Sequence, residues 1–135
     1  LLSTLHTNSA WGCVTRLVDM GIHPYLLSET LIACVAQRLV RTLCPYCKKE
    51  DASDPVMLNR LGMPLDTRTY VASGCEHCYY TGYSGRRAVY EVIPIDRRNV
   101  DDLLRSRGLK TLRDSAIELY AGGLTSLDDI LPFMN

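Results

Sequence analysis

Four cysteines in two tight pairs are the residues of this sequence best suited to chemistry. They are Cys44-Pro45-Tyr46-Cys47 and Cys75-Glu76-His77-Cys78, with 27 residues between the pairs. A C-x2-C turn presents two thiolates from one short loop. Two such turns fill the four tetrahedral corners that zinc takes, at about 2.3 Å from each sulfur. With four thiolates bound and no open position, such a site holds structure and performs no catalysis. The gap exceeds the roughly 15–20 residues of the common zinc ribbon, so the chain between the pairs makes a small excursion of its own. His77 lies inside the second pair and is an alternative ligand, but the two-residue gap favours the sulfurs.

Other readings of the cysteines stand beside zinc. Six cysteines could form three bridges, and sequence does not decide their connectivity. The opening Leu1-Leu2-Ser3-Thr4, however, has no basic region, long apolar stretch or small-residue cleavage site of the kind that marks secretion. C-P-Y-C is also the active-site motif of glutaredoxins, where it must open a helix whose N-terminus lowers the thiol pKa. Here residues 48–55 read as loop, and a thiol enzyme has no use for the second pair. Cys13 and Cys34 sit singly in apolar helical patterns and read as small buried residues.

The elements that must position the pairs follow from periodicity. Residues 1–5 look like the end of a buried strand. Asn8 or Ser9 can cap a helix starting at Ala10, with Trp11, Val14, Leu17 and Val18 on one face and Gly21 at its end. Pro24 suits the first position of a second helix, predicted to reach about Ala36 with Leu27, Leu31, Cys34 and Val35 inward. Residues 38–43 shift to a period near two and lead as a strand into Cys44. Between the pairs, residues 55–61 predict a short helix stopped at Gly62-Met63-Pro64, and residues 69–71 a brief strand. Residues 87–93 alternate as a strand ended by Pro94, and should pair antiparallel with 38–43 at the base of the cysteine segment. Asp96 should cap a helix to about Ser106. Thr111 should start another, with Leu112, Ala116, Leu119 and Tyr120 on one face and Gly122-Gly123 as its stop. Thr125 or Ser126 caps a last short helix through Leu127, Ile130 and Leu131.

Composition narrows the function classes. At 135 residues the chain is one domain, or a domain carrying an insert. Its 47% apolar content suffices for a core, and 15 basic residues balance 15 acidic ones. A nucleic-acid module is usually basic, so this balance counts against one. No apolar run reaches the ~20 residues that span a bilayer. The longest candidate, 26–40, is broken by Ser28, Glu29, Gln37 and Arg38. The absence of an initiator Met suits a fragment of a longer protein.

Several stretches together resemble one family, the type II secretion / type IV pilus assembly ATPases. Leu2-Ser3-Thr4-Leu5-His6-Thr7-Asn8, Val14-Thr15-Arg16-Leu17 and Met20-Gly21 resemble its His box and the helix after it. Ala36-Gln37-Arg38-Leu39-Val40-Arg41-Thr42-Leu43-Cys44 resembles the entry to its tetracysteine metal domain. Gly74-Cys75, Cys78, Thr81-Gly82-Tyr83, Gly85-Arg86 and Tyr90-Glu91 resemble the exit. Thr111-Leu112-Arg113 and Gly123-Leu124-Thr125-Ser126-Leu127-Asp128-Asp129-Ile130 are similar to its closing helices. Retraction ATPases of the wider family generally lack the four cysteines, so the resemblance points to the secretion or assembly branch.

The resemblance implies an α/β fold class, an α+β fragment: the C-terminal remainder of a RecA-like motor domain, mostly helical, with an inserted tetracysteine module. Residues 1–43 would end the ATPase core, 44–85 would be the zinc insert held by Cys44, Cys47, Cys75 and Cys78, and 86–135 a strand and C-terminal helices. His6 would face the γ-phosphate or the catalytic carboxylate of the intact enzyme; read by itself, it is a strand-end histidine. ATP and magnesium would belong to the full-length parent only. Partners would be the other subunits of a homo-hexamer and inner-membrane components of the machine, with no nucleic acid, and the place of action the cytoplasmic side of the bacterial inner membrane. The phosphate-cradling G-x-x-x-x-G-K-[ST] pattern does not occur: Gly108-Leu109-Lys110-Thr111 has a Lys-Thr pair without the adjacent glycine. This piece by itself is therefore expected to be inactive.

A reading of a different class is a free-standing zinc module that binds nucleic acid or protein. Arg86-Arg87 and Lys48-Lys49, interleaved with Tyr46, Tyr79, Tyr80 and Tyr83, could offer phosphate contacts and stacking faces. The same residues read equally as a solvated rim around a small core.

Overall fold

The computed structural model describes residues 1–52, 54–95 and 110–134. In chain order its elements are α1 (Ala10–Asp19), α2 (Pro24–Thr30), β1 (Ala33–Leu43), β2 (Lys49–Asp51), α3 (Pro55–Leu61), β3 (Thr69–Val71), a 3-10 turn (Glu76–Cys78), β4 (Tyr83–Pro94), α4 (Leu112–Ala121), α5 (Leu127–Ile130) and a closing 3-10 turn (Leu131–Phe133). Helices and strands are thus mixed, an α+β arrangement. Contacts divide the chain into two units, residues 1–37 with 90–112 and residues 38–89 with 113–135.

In the first unit, Ser9 caps α1 by accepting the Gly12 N–H at 3.1 Å on its hydroxyl. Ala10 and Val14 are buried, Trp11 and Leu17 half-buried, and Val18 faces solvent. Pro24 opens α2 as predicted, but the helix stops at Thr30, not near Ala36. Leu31 already has extended geometry (φ −84°, ψ 122°), and β1 begins two residues later. The reason is side-chain alternation. Cys34 and Ala36 are buried while Val35 and Gln37 are exposed, a period of two that a helix cannot satisfy, and β-branched Ile32 and Val35 favour the strand. Residues 1–5 form no strand. Leu1 and Leu2 are fully exposed, and no described strand lies alongside to pair with their backbone. The helix expected from Asp96 to Ser106 lies outside the described residues.

Strands β1 and β4 pair with each other. Ile95 N–H donates to the Ile32 carbonyl at one end and Cys44 N–H to the Gly82 carbonyl at the other, each at 2.9 Å. The strands therefore run antiparallel, as expected. Along β4, Val89, Glu91 and Ile93 point inward. Glu91 is a carboxylate in an apolar row, and backbone donors satisfy it. Trp11 N–H reaches Oε1 at 3.4 Å and Leu112 N–H reaches Oε2 at 3.3 Å.

In the second unit, β2 pairs antiparallel with β3, with Lys49 opposite Val71 and Asp51 opposite Thr69. Residues 49–51 were expected to be loop; pairing with a strand 18 residues away is invisible to local periodicity. Asp54 caps α3 through Val56 N–H at 2.9 Å, and Leu58, Leu61 and Met63 are buried beneath it. Ala116 and Tyr120 of α4 and Ile130 of α5 complete the core. The C-terminal segment is tied to the end of β1. Leu43 N–H donates to the Leu124 carbonyl, the Thr125 hydroxyl to the Arg41 carbonyl, and the Arg41 guanidinium pairs with Asp129.

Candidate metal centre

The end of β1 delivers Cys44, and the chain turns at once. Cys47 N–H and Lys48 N–H both point back to the Cys44 carbonyl, at 3.4 and 3.0 Å. The second pair is built the same way by the 3-10 turn, where Cys78 N–H donates to the Cys75 carbonyl at 3.2 Å. The two turns meet. Sulfur–sulfur distances are 3.9 Å for Cys44–Cys75 and 3.8 Å for both Cys47–Cys78 and Cys75–Cys78. All four sulfurs lie within 4.8 Å of one another.

These distances test the chemistry directly. A disulfide needs sulfurs at about 2.0 Å, and all six cysteines are free thiols. Four sulfurs about 2.3 Å from a tetrahedral centre would stand about 3.8 Å apart, and the Cys44–Cys75, Cys47–Cys78 and Cys75–Cys78 pairs stand at 3.8–3.9 Å. The fold brings together sulfurs of residues 31 positions apart, Cys44 with Cys75 and Cys47 with Cys78. The donor set, four thiols and nothing harder, suits a soft or borderline dication.

Backbone N–H groups support the sulfurs from outside. Gly74 N–H donates to Cys47 Sγ at 3.2 Å, Cys75 N–H to Cys78 Sγ at 3.3 Å and Gly82 N–H to Cys78 Sγ at 3.2 Å. Such donors stabilise negative charge on a ligand and fix its direction. Burial works against a Cys78 thiolate, but donation from Cys75 and Gly82 and the neighbouring thiols outweigh it, and the pKa falls to about 6. Cys75 is pushed up to about 11, by burial first and by its hydrogen bonds to the Cys47 and Cys78 thiols.

Gly82 has no alternative at its position. Its φ is +78°, and a Cβ there would fall 2.6 Å from that of Ala72. Gly74 and Gly82 were the sequence signal for these outer donors, one glycine before the second pair and one four residues after it.

His77 stands outside the sulfur cluster. It is exposed and stacks on Tyr46, with ring centroids 4.3 Å apart, joining the tips of the two turns. His6 also lies outside it, exposed on the segment before α1, where the Thr7 hydroxyl donates to the Ser9 carbonyl at 3.0 Å. Cys13 and Cys34 belong to the first unit. Two residues that the sequence offered as a nucleic-acid surface are engaged internally. Lys48 Nζ donates to the Gly123 carbonyl at 2.8 Å above the Tyr70 ring, and Tyr83 lies under the Arg41 guanidinium with its hydroxyl 2.9 Å from that of Ser126.

Comparison with known proteins finds relatives over nearly the whole chain. The family described as "Type II/IV secretion system protein" matches residues 1–131. Over 97% of this chain, the type II secretion system protein E of Pseudomonas aeruginosa is 50% identical and that of Dickeya dadantii 49%. The type IV pilus assembly ATPase PilB of Thermus thermophilus is 37% identical over the same share. The chain spans 29%, 28% and 16% of those three relatives' lengths, less than a third of each.

Proposed function

The chain belongs to the type II/IV secretion system protein family, and from that premise we propose that it is the C-terminal part of a hexameric motor ATPase driving type II secretion or type IV pilus assembly. Its own contribution is a structural zinc centre on Cys44, Cys47, Cys75 and Cys78. The observation that carries this reading is the sulfur cage, whose 3.8–3.9 Å edges suit tetrahedral zinc. Bound zinc would supply cross-linking alone, since four thiolates leave no position for water or substrate.

The remaining roles rest on the family and on the sequence. His6 would act at the nucleotide phosphates only when joined to the rest of the motor, where ATP and magnesium bind. Partners would be the other subunits of the ring and inner-membrane components of the machine. Among the described residues no helix is long and apolar enough to cross a membrane. By the family resemblance, the place of action would be the cytoplasmic side of the inner membrane, through protein partners. The nucleic-acid reading is disfavoured by Lys48 and Tyr83, both committed to internal contacts.

The test is a transplant. These 135 residues replace the matching stretch of the P. aeruginosa type II protein and, separately, of the T. thermophilus pilus ATPase. Restored ATP hydrolysis with secretion in one host, or piliation in the other, supports the reading and names the machine. Chimeras that fold and bind zinc in both hosts yet neither hydrolyse ATP nor assemble into rings would refute it.

A further inference from the structure

A cavity of about 500 Å³ lies within the second unit, lined from β2, α3, β3, α4 and α5. That volume is in the roughly 300–1,000 Å³ range of small-molecule sites. Three carboxylates stand on it, Asp51, Asp54 and Asp128, and its described lining holds no lysine, arginine or histidine. Asp54 spends Oδ1 on the Val56 N–H and keeps its other oxygen. Among the described residues neither Asp51 nor Asp128 is ion-paired, and Arg41, whose charge reaches Asp128, is bound to Asp129. We propose that this cavity is a binding site for an aliphatic polyamine, whose ammonium groups pair with the three carboxylates and whose alkyl stem lies on Met57, Val71 and Leu127.

Carboxylates alone are as well served by water, and it is Tyr120 that marks the place as a site. Tyr120 is 5% exposed and lines the same cavity. Its hydroxyl has no partner in the protein, yet no sealed polar atom among the described residues is left unsatisfied. The hydroxyl must therefore look onto open space, and the space that Tyr120 lines is the cavity. Native interiors rarely leave such a group idle. The neighbouring tyrosine shows the contrast: on the same wall, the Tyr83 hydroxyl is satisfied by that of Ser126 at 2.9 Å.

The lining also selects the class of ligand. Three negative charges around one space repel one another, and a multiply charged cation removes that repulsion. Met57, Val71 and Leu127 add apolar surface, which a bare metal ion cannot use. Methylenes between ammonium groups cover such surface, as the stem of a lysine does. A single lysine side chain would bring one charge to three carboxylates. The Tyr120 hydroxyl then accepts a hydrogen bond from an ammonium group, which has donors only. An occupant would bridge α3 to α5, so it should also stabilise the second unit by mass action.

The experiment titrates spermidine into the zinc-loaded chain at low ionic strength, by calorimetry and by NMR of the backbone amides. The expected result is one saturable site, with shifts centred on residues 51–57, 71–72 and 126–128. Tyr120→Phe loses no hydrogen bond within the protein, so it should melt as the wild type does. It should nevertheless bind about fivefold more weakly, the worth of one hydrogen bond. Asp51→Asn and Asp128→Asn should each weaken binding about three- to fivefold, as partly screened ion pairs do. Asp66→Asn, exposed and off the cavity, should change nothing. Magnesium and N-acetyl-lysine amide should both bind more weakly than spermidine. The shift map of the unaltered chain decides even where a variant folds poorly. No saturable binding, shifts centred elsewhere, an equal loss in Asp66→Asn, or magnesium or the lysine amide matching spermidine would each overturn the proposal.

Discussion

Removing the metal should melt residues 44–85 and spare α1 and α2. Among the described residues between the two cysteine turns, the buried apolar side chains are Leu58, Leu61 and Met63. At about 1.5–3 kcal/mol each for full burial, they contribute about 5–9 kcal/mol together. Zinc on four thiolates supplies an apparent ~10–16 kcal/mol, the larger share. Segments of about 40 residues seldom hold a fold without such a staple. Chelation, or Cys75→Ser, should therefore raise amide exchange across β2, α3 and β3. A net loss of about 4 kcal/mol already means about a thousandfold in the opening equilibrium. Loss of order should then spread to α4, because Lys48 is bonded to Gly123 and the Arg113 guanidinium donates to the Arg60 carbonyl at 3.0 Å. The contacts of α1 and α2 lie in the other unit, so their protection should stay within a few-fold. Hydrogen exchange with mass detection, with and without chelator, is the assay. Equal protection of residues 44–85 in both samples would refute the reasoning.

Three substitutions probe the rest of the framework. Gly123→Ala places a Cβ 2.7 Å from the Tyr70 ring at φ +67°, and should destabilise by about 2–3 kcal/mol in denaturant titrations; a second change, Tyr70→Ala, should recover the steric part. Arg41→Ala removes the two-pronged contact to Asp129 and the cation over Tyr83 at 3.9 Å. Because the guanidinium is half exposed, a loss of about 1–2 kcal/mol is expected, with Arg41→Lys recovering less than half. Glu91→Ala strips the acceptor from Trp11 and Leu112 N–H, and should cost about 2–3 kcal/mol with faster exchange of those two amides. Glu91→Gln, which keeps an acceptor, should cost less.

Legibility in the sequence followed the range of the interactions. Caps and stops were readable because they act within four residues: Ser9 onto Gly12, Pro24 at the start of α2, Gly62 after α3. The cysteine cluster was readable because its motif carries its geometry, two thiols per turn. The boundary between α2 and β1 was misplaced because Leu27, Leu31, Cys34 and Val35 also fit a helical spacing. What decides it is the partner strand, whose inward row of Val89, Glu91 and Ile93 faces away along the chain by more than 50 residues. Glu91 carried a local sign that went unread: a carboxylate at an inward position of an alternating strand must have donors waiting for it.

In the second unit the cysteine segment is bonded to its flanks. The sequence suggests a zinc insert over residues 44–85, followed by a strand and C-terminal helices over 86–135. The contacts instead join residues 38–89 to 113–135 in one body. Lys48, the residue after Cys47, spans from the metal turn to the Gly123 carbonyl, and Tyr70 of β3 fills the space left by that glycine's missing side chain. At the other turn, Tyr83 follows Gly82 and bonds to Ser126, next to Thr125, whose hydroxyl closes on β1. The first cysteine pair is thus one residue, and the second five residues, from a bond to the 123–126 stretch. A metal that fixes the turns also fixes that stretch, and α5 with it. In the zinc-bound form proposed above, metal binding and the position of the 123–126 stretch are coupled, so a variant such as Gly123→Ala, far along the chain from any cysteine, should weaken zinc retention measured by competition with a chromogenic chelator. Unchanged retention in a variant that is clearly destabilised would show that the two are independent.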